Sequence, residues 1–326
     1  MPIPDDKPTD RARETSLAET EVKKGRAVAL PEAPLDAELF RQVEQATGAS
    51  LSDRTKREYQ SDWRVFQGWC ESKKRNALPA NEDTIAAFLV DCAAGGHKYA
   101  TLTRRATAIH YFHTLSGIDT HDSPCRTPRV RKTLAGLRRQ IGVEQVRKSP
   151  LTAEHLVQIV PLVGIRERAV LLVGFATGMR RSELAALELR DVKIESRGAI
   201  FHVRRSKTDQ EGRGVYIGVH RGTRICPVAA LEAWVGVRGE RGTTLFRIDG
   251  ADVALIVKAS VDLIGLDAKL FSGHSLRAGM VTEARRRGHT DVSIQRQGRW
   301  SSAKMLGVYD RPDDVFEHNV TADLGL

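Results

Sequence analysis

Glu167-Arg-Ala-Val-Leu-Leu-Val-Gly-Phe-Ala-Thr-Gly-Met-Arg180-Arg-Ser-Glu-Leu-Ala-Ala-Leu187 is the stretch on which the fold turns. Val170, Leu171, Val173 and Phe175 form an apolar stripe with helical spacing, and the stripe breaks at Thr177-Gly178. A second helix restarts at Arg181-Ser182-Glu183, with Leu184 and Leu187 facing inward. Arg180 therefore stands where one helix ends and another begins, and the backbone amides of such an N-terminus favour an anion. The same residues also fit a plain surface arginine beside an ordinary capped first turn, since Ser182 and Glu183 suit that position.

Working downstream, Ile200-Phe-His-Val203 and Val215-Tyr-Ile-Gly-Val219 alternate as strands, joined by a polar, glycine-containing run from Arg204 to Gly214. Helical patterns return at about 228–236, 251–264, 275–287, 291–295 and 302–309, and Thr152 can cap the first helix of the segment. Residues 151–326 thus read as a mostly helical domain with one small antiparallel sheet. Upstream, GVEQVRKSP at 142–150 is polar, holds Gly and Pro, and has no apolar period, which is the composition of a linker.

Residues 49–141 carry four helical patterns. Ser52 or Asp53 can cap the first, whose Tyr59, Trp63, Phe66 and Trp69 recur three or four apart before Asn76 and Pro79. The second follows Asn81 with Ile85, Phe88 and Leu89 on one face. The third begins near Thr101 and runs through Leu102, Ala106, Ile109 and Phe112 to Gly117; the fourth covers Pro128 to Ile141 with Val130, Leu134 and Leu137 inward. Residues 1–48 are rich in Pro and charge, lack a sustained apolar period, and read as a disordered arm. The fold class is mainly α, with no internal repeat.

Charge sharpens this division. The formal net charge is +10, and residues 49–150 hold 18 Lys+Arg against 10 Asp+Glu, whereas residues 1–48 hold 7 against 10. On the polar sides of the four helices Lys98, Arg104, Arg105, Arg129, Arg131, Lys132, Arg138 and Arg139 are dense enough to follow phosphates along a groove. A solvated charged face is the competing reading. No stretch approaches the roughly 18 apolar residues of a membrane span. MPIPDDKPTD at the start has neither a basic nor an apolar leader region, so a cytoplasmic protein, nucleoid-associated when bound, is expected. Cys70, Cys92, Cys125 and Cys226 are scattered without CxxC spacing, which argues against both a disulfide framework and a zinc site.

Several residues can carry chemistry. His274 and Arg277, in Phe271-Ser-Gly-His-Ser-Leu-Arg277, lie three apart at a helix start and share a face. A histidine moves a proton near neutral pH, while an arginine grips phosphate oxygens without losing its charge. Structural pairs with this spacing are also common. Lys207, in Arg205-Ser-Lys-Thr-Asp209 on the hairpin, can swing into a cleft and protonate a leaving oxygen, although exposed hairpin lysines are frequent. Of five tyrosines, Tyr59 and Tyr216 are explained by packing, whereas Tyr309 ends a short helix near Trp300, whose indole N–H is a neutral donor suited to a phosphate. Tyrosine has a pKa of about 10, so attack at neutral pH needs a nearby base or strong cations.

Taken together, Ala176-Thr-Gly-Met-Arg180-Arg-Ser-Glu183-Leu, Lys207-Thr, His274-Ser-Leu-Arg277, Gly298-Arg-Trp300 and Tyr309 resemble, in order and approximate spacing, the tyrosine recombinases or phage integrase family, over roughly residues 50–320. The resemblance implies a helical core-binding domain at 49–141 and a catalytic domain at 151–326, together forming a clamp on DNA. It implies that Tyr309 attacks a DNA phosphate, giving a 3′-phosphotyrosyl link and a free 5′-hydroxyl, with no ATP, metal or other cofactor. Arg180 and Arg277 would neutralise the nonbridging oxygens, Lys207 would protonate the 5′-oxygen, His274 would assist proton transfer, Trp300 would donate to the phosphate, and Glu183 would orient its neighbours. The partners implied are double-stranded DNA with inverted half-sites and three further copies in a homotetramer.

Most of the family has histidine where this chain has Trp300, and tryptophan there resembles the Cre-like minority; an arm unlike the arm-site-binding domain adds to this, and the resemblance is to the simple two-domain Cre-like and Xer-like members. Val315, Phe316, Val320, Leu324 and Leu326 form an apolar tail that either docks on a neighbour or packs on its own domain. A type IB topoisomerase-like enzyme and a non-catalytic DNA-binding regulator are the alternatives, and the biological task, whether integration, excision or resolution, is not written in these residues.

Overall fold

The computed structural model describes Gln42, residues 50–143, 147–204, 214–240 and 242–309, and Thr321 and Leu324. The arm at 1–48 lies, apart from Gln42, outside the described residues, as do Val315, Phe316, Val320 and Leu326 of the tail. The chain divides into two compact units, 1–144 and 145–326. No helix among the described residues is long and apolar enough to cross a membrane.

The first unit is built from α1 (Asp53–Ser72), α2 (Glu82–Ala94), α3 (Tyr99–Leu115) and α4 (Pro128–Ile141). Local chemistry sets the starts: the Ser52 hydroxyl accepts from the Thr55 amide at 3.2 Å, Asn81 from Thr84 at 2.9 Å, and Thr127 from Val130 at 3.4 Å. Pro128 occupies the first helical position of α4, where its missing N–H costs nothing. The three-and-four spacing of Trp63, Phe66 and Cys70 places them in one core with Ile85, Phe88, Leu89, Leu102, Ile109, Val130 and Leu137. Trp63 stacks on Phe112 at 4.8 Å between centroids.

One basic residue departs from expectation. Arg105 does not lie on the polar side of α3: it sits three after Leu102 and four before Ile109, on the apolar face, and is buried. Its Nη1 donates to Cys92 Sγ at 2.9 Å and its Nε lies 3.8 Å from buried Asp62, whose carboxylate also takes two bonds from Arg104. Arg105 therefore serves the core and is withdrawn as a DNA-facing side chain, while Lys98, Arg104, Lys132, Arg138 and Arg139 are exposed.

In the second unit, α5 (Ala153–Ile159), α6 (Ile165–Thr177) and α7 (Arg181–Ala186) precede a sheet of β1 (Val192–Glu195), β2 (Gly198–Val203) and β3 (Val215–His220). The strands are antiparallel in the order β1-β2-β3, with Phe201 facing Val192 on one side and Ile217 on the other. Strand β1 was not expected; it has only four residues, too few for a period-two signal. Tyr216 corrects another expectation. It points away from the core at 71% exposure and stacks on His202 across the β2–β3 pair at 4.5 Å.

After α8 (Pro227–Val237) and α9 (Gly250–Asp262) come α10 (Ser275–Arg286), α11 (Asp291–Gly298) and, where a short helix was read from the sequence, a 3-10 helix at Ala303–Tyr309. Helix α6 is buried from Ala169 to Gly174 and α10 from Ser275 to Thr282, so both are central. Their rigidity is what the candidate site exploits.

Candidate active site

Helix α6 stops at Gly178, which takes the left-handed conformation at φ +56°. A Cβ there would collide with the Met280 methyl group. The turn frees the Gly178 carbonyl to accept from Arg277 Nη1 and places Arg180 at the N-cap of α7. Glu183, one turn on, then caps the helix in an unusual way: its Oε2 accepts from the Arg180 amide at 2.9 Å and its Oε1 from Arg180 Nη1 at 2.6 Å. Arg180 is consequently no plain surface arginine; its side chain is 21% exposed and Glu183's is 3%.

From the start of α10, His274 and Arg277 project together, as their spacing predicted. Arg277 is only 2% exposed, and its guanidinium carbon lies 3.7 Å from the centre of the Trp300 ring, a cation–π platform. Burial first, then Arg180 and Arg299, push its pKa down to about 10, with Tyr309 acting in the opposite direction. It still carries its charge at neutral pH. Among the described residues its Nη2 is buried without a hydrogen-bond partner, a donor held ready for an anion.

His274 reaches solvent at the rim of the site, yet the protein packed around it, and then Arg277 and Arg180, hold its pKa below 6.5. The imidazole is thus neutral at pH 7 and can accept a proton. Its Nε2 lies 3.1 Å from Tyr309 Oη, and the two rings stack with centroids 5.7 Å apart. Tyr309 is brought back by the 3-10 turn that follows α11, is 8% exposed, and meets the Trp300 ring edge-on at 5.4 Å. The Trp300 backbone is fixed at both ends by Gln295, whose carbonyl accepts from the Trp300 amide at 3.1 Å and whose side chain donates to the Trp300 carbonyl at 3.0 Å.

The structure therefore gathers Arg180, Glu183, His274, Arg277, Trp300 and Tyr309 within one unit, while Lys207 lies outside the described residues. Sequence reasoning missed Arg299. It was visible between Gly298 and Trp300, but nothing local marked it, because its partner is distant: Arg299 Nη2 donates to Glu183 Oε2 at 2.6 Å. The arrangement offers a neutral base on a phenol, beside three guanidinium groups and one carboxylate. That is a set suited to nucleophilic attack on a phosphate.

Comparison with known proteins places the chain in a family. Residues 150–315 match the phage integrase family and residues 46–115 its N-terminal SAM-like domain. An integrase/recombinase xerD homolog of Selenomonas ruminantium is 34% identical over 290 residues, covering 83% of this chain and 85% of the relative. The recombinase cre of Escherichia phage P1 is 22% identical over 298 residues, 80% of this chain and 85% of its own. Among solved structures, a lambda integrase dimer bound to a COC′ core site shares the fold at a TM-score of 0.58 and 19% identity, covering 83% of this chain and 75% of that one. The chain belongs to the phage integrase family, the tyrosine recombinases, which are site-specific DNA recombinases.

Proposed function

We propose that recombination by this protein proceeds through Tyr309. Its Oη bonds to the phosphorus of a DNA phosphodiester, the bond to the 5′-oxygen breaks, and a 3′-phosphotyrosyl link and a 5′-hydroxyl result. The phenolic proton passes to His274 Nε2, and the 5′-oxygen takes a proton from Lys207, a role resting on the family resemblance. Arg180 and Arg277 neutralise the nonbridging oxygens. Trp300 donates its indole N–H to one of them, and Glu183 orients Arg180. The link conserves the energy of the phosphodiester, so religation needs no ATP.

The observation that carries this reading is the 3.1 Å approach of Tyr309 Oη to the neutral His274 beside buried Arg277. The DNA is double-stranded, and Lys98, Arg104, Lys132, Arg138 and Arg139 of the first unit contact its backbone. Inverted half-sites would assemble a homotetramer in the cytoplasm, on the nucleoid. The test uses a duplex selected from a random pool by the wild-type protein and nicked so that cleavage is trapped. A covalent adduct that Tyr309→Phe abolishes is expected; binding without an adduct, or an adduct that survives the substitution, overturns the reading. Family membership does not favour topoisomerase-like relaxation or a purely regulatory role.

A further inference from the structure

Glu183 presents a difficulty for any site that handles phosphate. It is buried, it lies beside the arginine that must meet the phosphate, and its charge has the wrong sign. With Arg180 as its one cationic partner, the carboxylate would repel the substrate and compete with it for Arg180. The chain answers with Arg299. This residue follows the last residue of α11 and adopts the left-handed conformation, φ 61° and ψ 47°, which only glycine takes without cost. The conformation turns its side chain inward to 7% exposure, where Nη2 donates to Glu183 Oε2, the oxygen that also accepts from the Arg180 amide. Its Nε and Nη1 are buried without hydrogen-bond partners among the described residues.

We infer that Arg299 is a positioning residue for the reaction, occupying Glu183 so that Arg180 stays available to the phosphate and the pocket keeps a net positive charge. The balance can be counted. Arg180, Arg277 and Arg299 contribute three cations against the one carboxylate, a net of plus two before the proton taken up by His274 is added, set against the dianion formed when a phenolate adds to a phosphodiester. Without Arg299 the net is plus one, and Arg180 alone balances the buried Glu183 carboxylate. The clustering is physical: besides burial, Arg180 and Arg299 both lower the proton affinity of Arg277, and Arg180 lowers that of Arg299. A side chain serving only to finish α11 would not need a conformation that favours glycine, nor two buried donors without partners.

The inference rests on the Tyr309 chemistry proposed above, and the experiment separates the two. Wild type, Arg299→Gly and Arg299→Lys are compared on the selected, nicked duplex for adduct formation at saturating DNA, for DNA affinity and for thermal stability. Glycine makes the backbone conformation easier, so Arg299→Gly should fold and bind as wild type does while forming the adduct about 100-fold more slowly, the cost typical of a misplaced reacting group. Arg299→Lys should restore part of that loss. A second duplex with a neutral methylphosphonate at the scissile position supplies a readout that a structural role would not move. The Arg299→Gly deficit should shrink there, because the uncovered Glu183 has less charge to repel. An unchanged rate in Arg299→Gly overturns the inference, and so does an equal deficit on both duplexes. A wild type that forms no adduct defeats the Tyr309 reading instead.

Discussion

Gly298→Ala is expected to damage the site from a position that makes no polar contact with substrate. Gly298 is the last residue of α11, and a Cβ built there falls on Cζ3, Cη2 and Cε3 of Trp300, far inside the ~3.5 Å at which carbon atoms attract. The indole has nowhere to retreat. It is 6% exposed, with the Arg277 guanidinium 3.7 Å from one ring centre and the Tyr309 ring 5.4 Å away. Two effects compete. Alanine favours a helical backbone by about 1 kcal/mol, whereas overpacking a filled core costs about 1–3 kcal/mol. A direct collision with a buried ring belongs at the upper end of that range, so the net loss is about 2 kcal/mol. For a catalytic unit spanning 145–326, that is a fall of about 4–8 °C in melting temperature. The displaced indole carries Arg277 and Tyr309 with it, and a shift of about 1 Å costs about 100-fold in adduct formation. Thermal denaturation and adduct formation on the nicked duplex measure the two effects separately. A Gly298→Ala protein with the melting temperature and cleavage rate of wild type would refute the reasoning, because it would show that the indole is free to move.

Further expectations concern charge. Because His274 titrates below its ordinary 6.5, cleavage at sub-saturating DNA should hold its plateau as the pH falls through 6.5 and decline only at lower pH; an acid limb centred at or above 6.5 contradicts the assignment. Folding follows the same sign: the unfolded chain takes the proton first, so the stability from neutral His274 is complete above 6.5 and is lost as the pH falls from there through the folded value. On the first unit, Arg139→Ala should weaken binding to any duplex and reduce the slope of log affinity against log salt by about 1. Arg105→Lys should leave that slope unchanged and lower the melting temperature, since Arg105 holds Asp62 and Cys92 in the core; fluorescence titrations at several salt concentrations distinguish them.

What the sequence revealed divides along the range of the interactions involved. Ser52, Asn81 and Thr152 announce their helices because a cap is made within three residues, and the aromatic spacing of α1 shows its buried face for the same reason. Arg105 misled because its charge pointed to the surface while its position on the helix pointed inward, and only Asp62 on another helix decides between them. The site shows the same contrast. His274 and Arg277 were legible as a pair on one face, but the neutrality of His274, on which its use as a base depends, comes from burial and from Arg180 on a different helix. Glu183 could be assigned an orienting role from its place beside Arg180. The cation that makes so buried a carboxylate tolerable next to a phosphate lies 116 residues further along the chain. Residue types at fixed spacing therefore identify the reacting groups, whereas the charge balance that lets them react is a property of contacts between helices, and Arg299 belongs wholly to that second kind of information.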